Sequence, residues 1–298
     1  MGRFQKCLMG LRRRLRYVLW RCMGFFFNSA TVRTKQGLFR IHLNGKDHIS
    51  ERLFTHREFE LDFMRSSMSL LRSANLHPPK GQGLVLDVGA NIGVISIGML
   101  ATGEVRSAVA IEPDPKSFLM LNKNIQLNGL EHDIVALNWA ATDNTSVLEF
   151  ELAGGNYGDN RVRCGTGGNA PELFFESNRR TLTLQGRRLD DLPHFLSKEV
   201  WNKISVLWID IQGHEGFAFR GAEGLLSKQI PVVTEFWPYG VLRSGMSKGE
   251  FCTLASDHWS RYWVQREEVF RMYPISGLHQ LFDKYSDNGG FENIILGK

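Results

Sequence analysis

The stretch Val85-Leu86-Asp87-Val88-Gly89-Ala90-Asn91-Ile92-Gly93 decides the fold. A short apolar run that opens at Leu84 ends on an acid, turns through glycines, and enters an apolar segment reaching about Ala101. That order predicts strand, turn and helix, with glycines that let the backbone turn tightly and let a ligand approach the helix N-terminus. The unit then recurs. Ala108 to Ile111 ends at Glu112-Pro113-Asp114 before a helix through Leu127, and Ile134 to Leu137 ends at Asn138. Ile204 to Ile209 ends at Asp210 before a helix from about Glu215 to Leu226, and Pro231 to Thr234 ends at Glu235. Repeated strand–helix units predict an α/β fold, a doubly wound and mostly parallel sheet with helices on both faces.

In open sheets of this kind ligands bind outside the carboxyl ends of the strands. Those ends carry Asp87, Glu112, Asn138, Asp210 and Glu235, so polar groups from five elements are expected on one edge. A helix cap explains any one of them, but not all five. The first turn is not a G-x-G-x-x-G dinucleotide fingerprint, because Ala90, Asn91 and Ile92 separate Gly89 from Gly93, and no phosphate loop of the G-x-x-x-x-G-K type occurs. Asp87 can accept hydrogen bonds from an ammonium, and Glu112 can hold a ribose diol with both carboxylate oxygens. Together they describe a nucleoside that carries a positive charge and an amino acid.

Ahead of this core, Val32 to Ile49 alternates around turn signals at Gly37 and Asn44-Gly45, which predicts a small β unit. Residues 57 to 73 place Phe59, Phe63, Met64, Met68, Leu70 and Leu71 on one helical face, with His77-Pro78-Pro79 beyond as a stop. Between Thr145 and Asp190 the pattern reads as strands and loops, with Val147 to Phe150 and Thr181 to Leu184 as strands and a glycine-rich loop from Gly154 to Gly168. The predicted division is a basic segment over 1–30, a β/helical lead-in over 31–80 and the α/β domain over 81–298.

The chain of 298 residues carries 36 Lys and Arg against 31 Asp and Glu, a formal charge of +5. Seven of the cations and no acid fall within residues 1–30, which leaves the body slightly acidic. A body of that balance argues against a general nucleic-acid binder, which needs clustered cations. The apolar run from Tyr17 to Phe27 is shorter than the ~20 residues of a membrane span and is interrupted by Arg21. It lacks the unbroken core of a secretory signal, and Met1-Gly2 is followed by Lys6 where myristoylation expects Ser or Thr. We expect a cationic amphipathic segment on an anionic membrane surface, with Trp20 and the three phenylalanines inserted; the plainer alternative is a packing or poorly ordered extension. Cys7, Cys22, Cys164 and Cys252 show no zinc or redox spacing, so a reducing, cytoplasmic setting is expected, with no disulfide or structural metal.

Five motifs then resemble one family in order and spacing. They are Val85 to Gly93, Ile111-Glu112-Pro113, Ala140-Ala141-Thr142-Asp143, Ile209-Asp210-Ile211-Gln212-Gly213-His214-Glu215 and Val233-Thr234-Glu235-Phe236. The family is that of FkbM methyltransferases, which use S-adenosyl-L-methionine. The resemblance runs from about residue 50 onward, with Phe291 to Leu296 as its final strand. It implies a class I, Rossmann-like methyltransferase fold and O-methylation of a hydroxyl on a sugar, glycolipid or small natural product. Carried over, it assigns Asp87, Gly89, Asn91 and Gly93 to the cofactor loop, Glu112 to the ribose and Asp143 to the neighbourhood of the adenine, though Asp143 also reads as a turn residue.

Methyl transfer to oxygen needs an aligned nucleophile and a base for its proton. Asp210, His214, Glu215 and Glu235 are the expected catalytic candidates. Asp210 would touch the reacting end of the acceptor, and His214 could take the proton, having an ordinary pKa near 6.5. Glu215 reads equally as a residue of its helix's first turn. The rival readings are an RNA methyltransferase and a non-catalytic membrane-surface protein that keeps the cofactor fold. Against the first stand the slightly acidic body, the absence of a [DN]-P-P-[FYW] motif, and Lys228, which lies at the opposite strand edge from Asp210. Trp237, Tyr239, Trp259 and Trp263 could stack on a sugar, but packing explains them as well.

Overall fold

The computed structural model describes residues 3–43, 46–163, 173–174 and 176–298, with the backbone alone for residues 3–7. The Asn44-Gly45 turn signal, Cys164 and the rest of the glycine-rich stretch from 164 to 168 lie outside the described residues. The chain opens with α1 (Arg3–Met23), the hairpin β1 (Ser29–Thr34) and β2 (Gly37–His42), α2 (His48–His56) and α3 (Leu61–Ser73). Next come β3 (Leu84–Val88), α4 (Val94–Ala101), β4 (Ser107–Ile111), α5 (Pro115–Leu127) and β5 (Ile134–Leu137). Strands β6 (Ala140–Ala141), β7 (Ser146–Leu152), β8 (Arg161–Arg163) and β9 (Arg180–Arg187) form a separate four-stranded sheet. Then follow α6 (Lys198–Lys203), β10 (Ile204–Ile209), α7 (Glu215–Arg220), α8 (Glu223–Leu226) and β11 (Val232–Phe236). The chain closes with α9 (Pro238–Arg243), α10 (Lys248–His258), β12 (Arg261–Arg266), β13 (Val269–Pro274), α11 (Leu278–Tyr285) and β14 (Glu292–Gly297).

Eight strands make the central sheet in the order β13-β12-β14-β11-β10-β3-β4-β5. From β5 to β11 all pairings are parallel, and the order reverses at β3 and β10. Strand β14 enters antiparallel between β11 and β12, and β13 extends that edge as a hairpin. This is the Rossmann-like class I methyltransferase fold, with its ligand crevice at the strand ends where the order reverses. The β12–β13 hairpin carries no strong turn signal and was not foreseen. The single helix expected from Glu215 to Leu226 is two short ones, because the chain breaks around Gly221 and Ala222.

Strand residues alternate between two apolar layers, as a period of two requires. Leu84, Leu86, Val88, Leu207 and Ile209 face the layer that includes Phe219, Phe251 and Phe282. Val85, Ala108, Val206, Trp208 and Val233 face the layer containing Met64, Ile97, Leu121, Phe39 and Trp20. The hairpin β1–β2 is held to that second layer by Asn124 of α5 and by Asn128, which caps the C-terminus of that helix. Asn128 pairs with both backbone groups of Leu38, at 2.9 and 2.7 Å. Asn124 pairs likewise with Arg40, at 2.6 and 3.2 Å, and also donates to the Ile92 carbonyl at 2.9 Å. Side chains of a helix thus satisfy the open edge of β2, which would otherwise invite pairing with another chain. The lead-in is thereby fastened beside the turn that precedes α4.

Candidate active site

At the carboxyl ends of β3, β4, β10 and β11 lies a cavity of about 620 Å³, within the range of small-molecule sites. One end is bounded by Gly89 and Asn91 of the first turn, by Glu112 and Pro113 after β4, and by Trp139, Ala140 and Ala141. The other end is bounded by Asp210 and Gln212 after β10, by Glu235 and Trp237 at the end of β11, and by Glu60, Phe174 and Phe291. Helix α2 supplies His48, Ile49 and Arg52, and the four-stranded sheet with its loops supplies Phe150 and Tyr157.

The first turn is shaped by close approach. Gly89 has φ +86°, and a Cβ there would collide with the carbonyl oxygen of Asp210. Asn91 is also left-handed, with φ 49°, and its N–H donates to Oε2 of Glu112 at 2.8 Å. The other carboxylate oxygen of Glu112 accepts from the Asp114 N–H at 2.8 Å. Each oxygen keeps a second lone pair, so the carboxylate can still receive two hydroxyl hydrogens from the cavity. Burial pushes the Glu112 carboxyl up to about 8, against the lowering by those two N–H groups.

Asp87 does not line the cavity. It is buried, and its Oδ2 accepts from the Ser96 N–H at 3.0 Å and the Ser96 hydroxyl at 2.5 Å. It therefore ties β3 to the first turns of α4 and stands behind the loop it was expected to serve, with its carboxyl raised by burial to about 6. Gly93, φ +90°, fixes the entry to α4 from outside the cavity wall. Asn138 likewise braces, donating to the carbonyls of Glu112 and Pro113 at 2.7 and 3.0 Å. Asp143 is a turn residue that accepts from Thr142 and Asn144, while the wall near it is made by Trp139 to Ala141.

The four catalytic candidates separate into two pairs. Asp210 and Glu235 face the cavity and share one donor, since Nε2 of Gln212 reaches Asp210 Oδ1 at 2.8 Å and Glu235 Oε1 at 3.1 Å. Burial raises both carboxyls, and for Glu235 the charges of Asp210, Glu215 and Glu60 add to the rise. His214 and Glu215 lie outside the cavity wall. The His214 ring is buried, its Nδ1 pairs with Ser244 at 2.7 Å and its Nε2 with Thr142 at 3.1 Å, and it stacks on Phe217. Burial lowers its pKa to about 3, so the ring is neutral at pH 7 and its nitrogens are occupied. That placement corrects the expectation of a base at the acceptor. Glu215 is buried, accepts from the Ile211 N–H at 2.9 Å and is raised by burial to about 7, so it holds the turn that carries Asp210 and Gln212.

Glu60, unforeseen from sequence, joins the acidic end of the cavity. It sits at the N-cap of α3 in a left-handed conformation, φ 52° and ψ 16°. The residue before it is clamped: the buried Gln36 side chain accepts from the Phe59 N–H at 2.8 Å and donates to the Phe59 carbonyl at 2.9 Å. Glu60 and Asp210 are solvent-accessible, yet both stand in a concave wall where surrounding protein thins their hydration. Desolvation, with the charge of Asp210, pushes Glu60 up to about 7. Among the tryptophans and tyrosine singled out earlier, Trp237 lines the cavity; Tyr239, Trp259 and Trp263 are core. Among the described residues, no group of three His, Cys, Asp or Glu could hold a metal ion.

A family model described as the methyltransferase FkbM domain matches residues 87–269. No curated protein matches the sequence. Among solved structures the chain is similar to methyltransferase FkbM from Methylobacillus flagellatus, at 13% identity and a TM-score of 0.42, over 84% of this chain and 55% of that one. It is similar to the tRNA m1G37 methyltransferase of M. jannaschii, at 11% identity and a TM-score of 0.39, over 91% of this chain and 57% of that one. It is also similar to TYW2 of P. horikoshii in complex with MeSAdo, at 12% identity and a TM-score of 0.38, over 91% and 72%. The chain spans little more than half the length of the first two.

Proposed function

The chain belongs to the methyltransferase FkbM domain family, and from that premise we propose that it is an O-methyltransferase whose acceptor is a hydroxyl of a sugar, glycolipid or small natural product. Its cofactor is S-adenosyl-L-methionine, which supplies a methyl group on a positively charged sulfur. The residues present fit that cofactor: Glu112 offers two acceptor oxygens for the ribose hydroxyls, Gly89 and Asn91 line the wall beside it, and Trp139 to Ala141 form an apolar wall. Carboxylates at the far end suit a cationic group.

The single observation that carries the O-methyl reading is the pair Asp210 and Glu235 bridged by Gln212 at the acceptor end of the cavity. A hydroxyl that becomes an ether loses a proton, and a carboxylate whose pKa burial has raised is a better match to receive it. We assign Asp210 to orienting the acceptor oxygen, Glu235 to holding the proton, and Glu60 to closing the same end from the lead-in. Glu60, Asp210 and Glu235 also disfavour a phosphate-rich acceptor by like-charge repulsion, which weighs against the RNA reading. We read residues 81–298 as the methyltransferase unit and residues 31–80 as the element that completes its acceptor end.

The test is incubation of the protein with a labelled methyl donor and a panel of glycans, lipids, small metabolites and RNA. Label in a base-stable ether on a hydroxyl compound is the expected product. Label confined to RNA bases would overturn the assignment.

A further inference from the structure

Helix α1 has two faces with opposite surroundings. Trp20 is 1% exposed and belongs to the same apolar layer as Val32, Phe39 and Leu53. One turn earlier, Arg16 donates to the Thr55 carbonyl of α2 at 3.2 Å. At about 3.6 residues per turn, positions 16, 20 and 23 face the body, while 11, 15, 18 and 22 face away. On that outer face Leu11, Leu15 and Val18 are 55%, 62% and 58% exposed. Exposed Arg14 and Arg21 border the stripe on one side and exposed Arg12 on the other. Just past the helix, Phe25, Phe26 and Phe27 are also exposed. Trp20, expected among the inserted residues, is instead the anchor that fixes this face outward.

The occupant follows from the chemistry. An apolar stripe bordered by arginines lets side chains sink between acyl chains while the guanidiniums stay at the level of lipid phosphates. A second copy of α1 would set arginine against arginine, since residues 1–30 hold no acid. Nucleic acid would use the arginines but leave the leucines and phenylalanines in water. Among the described residues no helix is long and apolar enough to cross a membrane, so the fit is to a surface. Position matters too: α1 packs on α2, and α2 contributes His48, Ile49 and Arg52 to the cavity wall. Helices α1 and α2, each about 10 Å thick, stand between the outward stripe and that wall.

We propose that α1 lies in the plane of an anionic lipid leaflet and that the acceptor hydroxyl belongs to a lipid-linked molecule, an inference that rests on the methyltransferase reading above. The test uses the full chain, because deleting residues 1–30 would pull Trp20 from the core. Flotation on phosphatidylserine–phosphatidylcholine vesicles is compared with phosphatidylcholine alone, for the wild type and for Leu11→Asp with Leu15→Asp. The wild type should float only with phosphatidylserine and fade with salt, and the variant should lose at least about tenfold in partitioning. Calorimetry with S-adenosylmethionine should give both proteins the same affinity. On vesicles made from extracted membrane lipids, the labelled methyl should enter the organic phase with the wild type and fall tenfold with the variant. Equal flotation of both proteins, flotation on neutral vesicles, lipid-free self-association lost in the variant, or label only in water-soluble acceptors would each overturn the proposal. Absence of donor binding would instead remove the methyltransferase reading, with the flotation result standing apart from it.

Discussion

The backbone N–H of Asn91 donates to Oε2 of Glu112 at 2.8 Å, so one carboxylate both holds the left-handed turn after β3 and faces the cavity. A residue read from sequence as a ligand for ribose is also the brace of the loop twenty-one positions earlier. Its loss should therefore act on both cofactor affinity and local order.

Glu112→Gln replaces one acceptor oxygen by an amide donor, and should weaken donor binding by about 1.5–3 kcal/mol, some ten- to hundredfold. It should also change the pH dependence of stability. The folded pKa of Glu112 is raised to about 8, so the folded protein holds a proton that the unfolded chain has released. That contribution is full below the ordinary carboxylate pKa and is lost as pH rises through 8. Denaturant titrations between pH 5 and 9, on the order of these pKa values, should show a shallower decline for the variant than for the wild type. Parallel curves would refute the burial account.

Glu60→Gln should leave donor affinity intact and move the pH profile of transfer. The Glu60 charge helps to hold Glu235 above its ordinary value, and its removal lets Glu235 ionise at lower pH. The ascending limb of kcat/KM, which burial and the neighbouring acids hold above the ordinary carboxylate range in the wild type, should shift to lower pH in the variant. An unchanged limb would detach Glu60 from the reaction.

Gln36→Ala tests how Glu60 is positioned. Losing the two bonds to Phe59 should raise KM for the acceptor far more than it changes donor affinity, and Gln36→Glu should rescue poorly because it cannot donate to the Phe59 carbonyl. Equal effects on donor and acceptor would point to general destabilisation.

His214→Ala should behave as a core substitution. Thr142 and Ser244 lose a hydrogen-bond partner, at a cost of about 1–3 kcal/mol, seen as a lower Tm. The folded pKa is depressed to about 3, so the wild-type contribution is present above pH ~6.5 and lost as pH falls toward 3; the variant should lack that acid sensitivity. Donor affinity should be retained. A large fall in kcat with unaltered Tm would return His214 to the reaction.

Trp20→Ala should cost about 3–5 kcal/mol, as for a fully buried aromatic side chain. Chemical denaturation measures it, and a cost below about 1 kcal/mol would mean that α1 is not anchored through this residue.

The sheet was legible because its evidence is local: β3, β4, β5, β10 and β11 are short apolar runs that each carry or meet a polar residue at their carboxyl end, and that pattern needs no knowledge of distant contacts. It sufficed to place Glu112, Asp210 and Glu235 on one edge and to mark Gly89 and Asn91 as the turn. What each acid does there was decided by the tertiary structure, because strand position sets only the edge, while the side chain's partner sets its work. Asp87 turns toward Ser96 of α4, and His214 is enclosed by Thr142 and Ser244, residues 72 and 30 positions away. Glu60 reaches the cavity only because Gln36 clamps Phe59 across 23 positions, and no periodicity records such a clamp. The first thirty residues divide in the same way. Their charge and apolar content are written in the sequence, but the burial of Trp20 is a packing event, and it alone determines which side of α1 is left facing outward.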